Sequence, residues 1–384
     1  MINLRYVALL FALLWATMSW AQSDSLRLSP TDADARFIRK NLAILATKYN
    51  IDIAKALTDQ TRLWDNPTLT FENNLFNLGG GGTFMGLDQE FLQVQQLIKL
   101  AGKRKKLTDL TAENEQLAAH QLNDLMRHLR YQLHTDLFAL QNTQNRISLY
   151  QRELKTIQQL LLAIKTQVQQ GNMALKEQIR LEALQNSIQH TINDEEVNAL
   201  LVQGDLKTLL RVSGDTAIIV VLPKKTPANL PTIADLVATA LSERPDISLA
   251  KSARTLQEKN LVYQQALKYP DLLVGITYDR QSNFTPHYTG VNVSLPLPIF
   301  NKNQGNIKAA EFGVKQQEMV QSQVQAQVET EVWAAFVKYK QLQALKTPDK
   351  EDFYTRYDDL LSNITQSYSK RQIGLVEFID FYES

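Results

Sequence analysis

Apolar positions change period along this chain, and the change occurs twice. Leu272, Val274, Ile276 and Tyr278 alternate with Leu273, Gly275, Thr277 and Asp279, the two-residue period of a strand. Val291, Val293 and Leu295 alternate with Asn292 and Ser294 in the same way. Beyond Pro296 and Pro298 a polar Asn-Lys-Asn-Gln-Gly turn follows, and Ile307 opens a helix-forming run that continues to Ile373. The same sequence of events is found earlier: strand-like residues after Pro67, a second strand in "EFLQVQQL", then "LAGKRKK" and a run from Lys103 to Gln170 without proline or glycine. About 68 residues at ~1.5 Å each predict a rod of roughly 100 Å.

Rods of this length need partners. Leu154, Ile157, Leu161, Ile164 and Val168 step by three and four, the seam of a left-handed coiled coil. Leu122, Leu125, Leu129, Leu133 and Leu137 drift to steps of four, as do Val320, Val324, Val328, Val332 and Phe336, so the stripe walks around the helix. Gly313 and Pro348 lie inside the second rod, and the proline predicts a kink or a short break. Gly171 reverses the first rod into a helix from Leu175 to Leu210. Helices of about 35 residues, Asp32 to Asp65 and Ala234 to Lys268, precede the two prolines. A returning and an opening helix laid end to end match one long rod in length. The segment "SGDTAIIVVLPKKTPANLP", with a short apolar strand between Gly214 and Pro223, then falls like a belt at mid-rod.

A single shift of about 203 positions places Pro67 on Pro270, Gly102 on Gly305 and Gly171 on Gly374. One unit of helix, strand, strand, long helix and helix is therefore used twice, over 22–230 (with the belt at 213–230) and over 231–384. By that shift the second unit stops before its own return helix, whose end would fall near position 413. A chain lacking that helix is expected to expose Val320, Val324 and Val328 and to assemble poorly or leak. Residues 1–21 read as an export signal, an apolar run closed by Ser19-Trp20-Ala21; an uncleaved anchor is the other reading, against which the shortness of the run weighs. The paired strands suit a membrane β-hairpin or a soluble hairpin on a helix, and the pattern alone leaves both open.

Composition removes whole classes of chemistry. With 41 basic and 40 acidic side chains in 384 residues, no net field draws nucleic acid. The absence of cysteine excludes disulfides, thiolate metal sites, thiol nucleophiles and a lipid-anchor cysteine. His120 and His128 lie eight apart on one helix, and His134, His190 and His287 have no acidic neighbours in the pattern, so no metal site is expected. Gly79 to Gly82 imitates a phosphate loop but lacks the Gly-Lys-Ser/Thr that would complete it. No nucleophile–base set stands out, and neither an enzyme nor a cofactor is expected.

Four stretches carry a resemblance: "RPDISLAKSARTLQEKNLVYQQALKYPDL" (244–272), "LAGKRKK" (100–106), "VNVSLPLPIFNKNQGNIKAAE" (291–311) and "IGLVEFIDF" (373–381). Together they resemble the outer-membrane efflux protein (TolC) family over nearly all of the chain after the signal, and "SLPLPIFNKNQGNIKAA" resembles its cobalt-zinc-cadmium (CzcC-like) branch. The resemblance implies a mainly α fold with a small membrane β part. A homotrimer would form a 12-stranded outer-membrane β-barrel continued by a periplasmic α-helical barrel. Pro67, Pro270, Gly102, Pro296, Pro298 and Gly305 would then mark the strand–helix junctions, with "GKRKK" placing cations at the membrane's inner face. Gly171, Gly374, Leu375 and Arg371 would form the tip where a periplasmic adaptor docks, and Asp380, Glu383 and Glu177 an acidic ring at the entrance. At the family's gating tyrosine stands Arg371, and Val376 replaces the arginine after the glycine. The implied partners are outer-membrane lipid, the adaptor and an inner-membrane RND-type pump, and the implied function is passive export of metal cations or drugs. A type I protein-secretion channel and an exported coiled-coil scaffold remain as alternatives.

Overall fold

The computed structural model describes residues 25–73, 90–223, 230–282, 285–345 and 348–383. Among these, β1 (Ser25–Leu28) leads into α1 (Pro30–Lys40) and α2 (Leu42–Arg62), then β2 (Thr68–Asn73), β3 (Glu90–Ile98), α3 (Lys103–Gln169) and α4 (Leu175–Leu210). After β4 (Ala217–Val220) the order recurs as α5 (Ile233–Glu243), α6 (Pro245–Leu267), β5 (Leu272–Gln281), β6 (Pro286–Ser294), α7 (Gln304–Leu345), α8 (Pro348–Ser369) and α9 (Leu375–Glu383). The fold is mainly helical. It divides into two compact units: one holds the described parts of Met1–Ala43, His128–Asn229 and Val337–Ser384, the other those of Ile44–Arg127 and Leu230–Phe336.

The opening helices are not continuous as the sequence led us to expect. Each begins at a hydroxyl cap, Ser29 accepting from the Asp32 N–H and Thr232 from the Asp235 N–H, and each breaks twelve residues later, at Asn41 and at Arg244. Caps and breaks in the two copies are both 203 positions apart. The causes differ. Asn41 is buried, and its side-chain amide donates to the Leu209 carbonyl at 3.0 Å. In the second copy Pro245 opens α6 and holds Arg244 extended, at φ −70° and ψ 130°. In the rod containing Pro348, α7 is described to Leu345 and α8 from Pro348, and the expected kink falls at residues 346–347, which lie outside the described residues.

One unit carries a four-stranded antiparallel sheet in the order β2-β3-β5-β6. Its register aligns Leu69, Val94, Ile276 and Val291 in one row across all four strands, and Val274 with Val293 in the next. The intervening row is Thr68, Gln95, Gly275 and Asn292, followed by Thr70, Gln93, Thr277 and Gly290. Side chains of alternate rows point to opposite faces, so one face is mainly apolar, with Gln96 beside Val274, and the other is lined mainly by amides and hydroxyls, with Leu97 beside Leu273 near its end. The apolar face is bare: Leu69 is 65% exposed, Ile276 61% and Val291 74%. Gly275 is required by close approach, because a Cβ there would meet Gln95 Cγ at 2.8 Å and the Val94 carbonyl oxygen at 2.9 Å. If the bare face meets lipid near the bilayer midplane, Val293→Lys should cost about 2–4 kcal/mol of assembled-barrel stability. Heat-dependent gel migration measures this, and unchanged migration would show that Val293 does not face lipid.

Within the same unit α7 lies along α6, tied by Arg254–Glu318 (3.1 Å) and Arg244–Glu331 (2.7 Å). This packing corrects the expected bare flank in part: Val328 is fully buried and Val324 half-buried, while Val320 stays exposed at 38%. Phe312, Met319 and Trp333 are more exposed apolar residues of that helix. In the other unit the coiled-coil seam forms a core. Ile157, Leu161 and Ile164 of α3 pack with Leu181, Leu184 and Ile188 of α4 and with Tyr368 and Phe378 of α8 and α9, while Leu154 and Val168 cover the edges. The belt strand is β4, which pairs in parallel with β1, a strand without a signal in the sequence. Gln144 of α3 clasps β4, donating to the Ile218 carbonyl at 2.7 Å and accepting from the Val220 N–H at 3.3 Å.

Candidate functional site

The strand–helix junctions are built from backbone reversals. Ala101 and Gly102 both take positive φ (56° and 68°), and the Lys106 N–H then bonds the Gly102 carbonyl to start α3. The second junction does not reverse at Gly305, which lies within the first turn of α7. Asn303 supplies the positive φ of 59° there, and its side-chain amide donates to the Gln264 carbonyl at 2.8 Å. Asparagine tolerates this conformation better than most residues, so the glycine is not what the turn needs. Pro296 and Pro298 follow the end of β6, while Pro67 and Pro270 precede β2 and β5. Asp271, beside Pro270, accepts from the Leu100 N–H at 3.1 Å and from Lys103 Nζ at 2.7 Å. Lys103 is 5% exposed, so this ion pair locks the first copy's junction to the second's from inside.

At the tip the two copies reverse alike, but in a different register from the one the glycines suggest. Gly171 (φ 73°) donates to the Val168 carbonyl and Asn172 to Gln167; Arg371 (φ 60°) donates to Tyr368 and Gln372 to Ser367. Arg371, not Gly374, is therefore the counterpart of Gly171, and the spacing has contracted from 203 to 200. By the same register Glu177 corresponds to Glu377, a carboxylate that the glycine alignment passed over, and Asp380 corresponds to Arg180. Gly171 has nothing within 4 Å of a would-be Cβ, so Gly171→Ala should cost only the left-handed backbone penalty, about 1 kcal/mol. Thermal unfolding would measure it. A loss several times larger would mean that this turn is held by more than backbone conformation.

The acidic residues do not share one surroundings. Half-buried Glu177 lines a cleft of about 290 Å³ with Tyr368, Arg371 and Gly374. Exposed Asp380 lines a groove of about 430 Å³ with Arg180, Ser187 and Ile379, where a cation of the same chain stands across from it. The Glu383 side chain lies outside the described residues. Leu375 is buried in the tip core. Arg371 donates to Gln167 Oε1 and so crosses from one turn to the other. Burial first, and the neighbouring Glu177 second, push the Tyr368 phenol up to about 12, so it stays neutral; its oxygen has no hydrogen-bond partner among the described residues.

Two further features escaped the sequence pattern. Arg244, at the α5–α6 break, bonds Asp246 at 2.6 Å, and Arg127 approaches Asp246 at 3.4 Å. Burial pushes the Asp246 carboxyl up, but the Arg244 hydrogen bond and the two nearby cations outweigh it and hold the group below its usual range. His134 is not without an acidic neighbour: Asp34 lies 3.2 Å from its Nε2. Among the described residues no group of three or more His, Asp and Glu is arranged to hold a metal ion, and no helix is long and apolar enough to cross a membrane. Gly79 to Gly82 lie outside the described residues.

Residues 236–351 match the sequence profile of the outer membrane efflux protein family. The cobalt-zinc-cadmium resistance protein CzcC of Cupriavidus metallidurans is 26% identical over 76 residues, which span 20% of this chain and 18% of that protein. Solved structures share the fold over most of the chain. The outer membrane protein VceC of Vibrio cholerae superposes with a TM-score of 0.71 at 14% identity, covering 92% of this chain and 89% of that one. CusC, described in connection with transmembrane channel formation, superposes with a TM-score of 0.62 at 18% identity, covering 92% and 85%.

Proposed function

We propose, on the premise that residues 236–351 match the outer membrane efflux protein family, that this chain is a passive exit duct in an outer membrane. Its four strands would join those of two further copies in a 12-stranded barrel, and its helices would continue that barrel through the periplasm. An adaptor protein would dock at the tip and an inner-membrane pump would supply the energy. The observation that carries this reading is the sheet: four antiparallel strands with one bare apolar face and one polar face, on a chain of very long helices. A soluble hairpin resting on a helix would cover that apolar face; a lipid-facing strand would leave it bare. The likeness to CzcC favours divalent metal cations as cargo. A duct works by its field, not by bond chemistry, and carboxylates repeated by symmetry around a narrow mouth favour cations. The carboxylates concerned are Asp380, Glu383 and Glu177, with Glu377 added by the tip register. The test is single-channel recording in planar bilayers. The parent should conduct with cation preference, and Glu377→Gln with Asp380→Asn should reduce it. Failure of the chain to reach the outer-membrane fraction would overturn the reading; unchanged selectivity would overturn the roles of the carboxylates alone.

A further inference from the structure

Four consecutive cations, Lys103, Arg104, Lys105 and Lys106, occupy the first turn of α3, where no acidic residue stands. This is the positive end of a helix macrodipole, so the arrangement opposes the helix's own electrostatics. Asp271 compensates Lys103. Nearby, Asp65 compensates Lys99 at 3.0 Å. Arg104 has no carboxylate partner among the described residues. Its guanidinium instead lies 3.8 Å over the Trp64 ring, and its Nη1 is buried without a hydrogen-bond partner. All five of these side chains other than Lys105 and Lys106, together with Trp64, line one cavity of about 570 Å³ that is also bounded by Leu63 and Leu267. Leu63 is 60% exposed and Trp64 65%. The cavity sits where β3 ends and β5 begins, beside Lys99 and Asp271, at the margin of the bare apolar face.

We infer that this cavity binds the phosphate of a membrane phospholipid. The argument rests on the outer-membrane reading above, which sets the strand ends at the lipid–water boundary. A phosphodiester would supply the anion that the helix start and Arg104 lack, accepting charge-assisted hydrogen bonds from the guanidinium and Lys99. Its acyl chains would run along Leu63 and onto the apolar strands. Trp64 suits that depth, its ring being amphipathic, and a basic pocket at a membrane surface selects anionic headgroups. The ligand class is therefore a phospholipid, preferentially an anionic one, and not a soluble phosphate, which would gain nothing from the apolar wall.

The full-length chain, purified in mild detergent, is titrated with phosphatidylglycerol and with a diacylglycerol of the same acyl chains, and retained lipid is counted by native mass spectrometry. Phosphatidylglycerol should be retained about tenfold better, the worth of one charge-assisted hydrogen bond. Arg104→Gln and Lys99→Gln should each remove most of that preference, and Arg62→Gln, a charge outside the cavity, should not. Equal retention of the two lipids by the unaltered chain overturns the inference even if every variant misfolds. So does an equal loss with Arg62→Gln. Displacement of the lipid by millimolar inorganic phosphate would identify a free-anion site and overturn the assignment to lipid. Vesicle insertion is measured separately by resistance to alkaline extraction. A chain that inserts but shows no headgroup preference refutes only the phosphate site, whereas one that never inserts refutes the outer-membrane reading and the site with it.

Discussion

Phe378→Ala is expected to cost about 3–5 kcal/mol, the usual range for emptying a buried aromatic site. Phe378 is fully buried, and its ring stacks on Tyr368 with centroids 4.9 Å apart. It also anchors the short helix Leu375–Glu383 in the core shared by α3, α4 and α8. Nine residues cannot persist as a helix without such packing. The loss should therefore be local: amides of 375–383 should lose hydrogen-exchange protection while those of the four-stranded sheet keep theirs. Phe381→Ala, at a residue 38% exposed, should do much less. Equal effects from the two would mean that the Tyr368–Phe378 stack does not hold the helix.

Lys103→Met should cost about 3 kcal/mol, because removing one partner leaves the other's charge uncompensated in a largely buried site. Side-chain exposures of 6% for Lys103 and 27% for Asp271 put this pair apart from the exposed ion pairs of the chain, for which much smaller effects are expected. Asp271→Leu alone should be comparably harmful. The double variant should be less damaged than either single one, since two apolar side chains of similar size leave no stranded charge. Urea unfolding of the four proteins closes the cycle, and strictly additive losses would show that the two residues do not act as a pair.

Much of this architecture could be read from punctuation and period. Pro67, Pro270 and Gly102 mark real changes of structure because proline lacks a donor and glycine tolerates positive φ, and both constraints are local. The seam of Leu154, Ile157, Leu161 and Ile164 was legible because a coiled coil repeats its demand every seven residues. What stayed hidden depends on partners far away in sequence. Asn41 breaks a helix by bonding Leu209, and β1 exists only because β4 is beside it. The tip register was misread for another reason. Glycine is the usual left-handed residue, yet Arg371 adopts that conformation while Gly374 does not. Carried on to the carboxylates, the shift of 203 pairs Glu177 with Asp380 and passes over Glu377.

If the sheet enters a bilayer as proposed, its two outer strands carry a consequence for how the chain reaches that state. β2 and β6 each have one neighbour, so each turns a row of peptide groups outward. In water those groups would be solvated, but hydrocarbon offers no substitute, and each group left bare there costs several kcal/mol. Four strands are also half the number found in the smallest closed membrane barrels. A lone copy can therefore reach the bilayer surface but gains nothing by crossing it. Crossing becomes favourable only when strangers' edges are already in place, which makes insertion a high-order reaction in chain concentration. Modest underexpression should then abolish the inserted form out of proportion, and one copy with a spoiled edge strand should poison the intact copies synthesised alongside it.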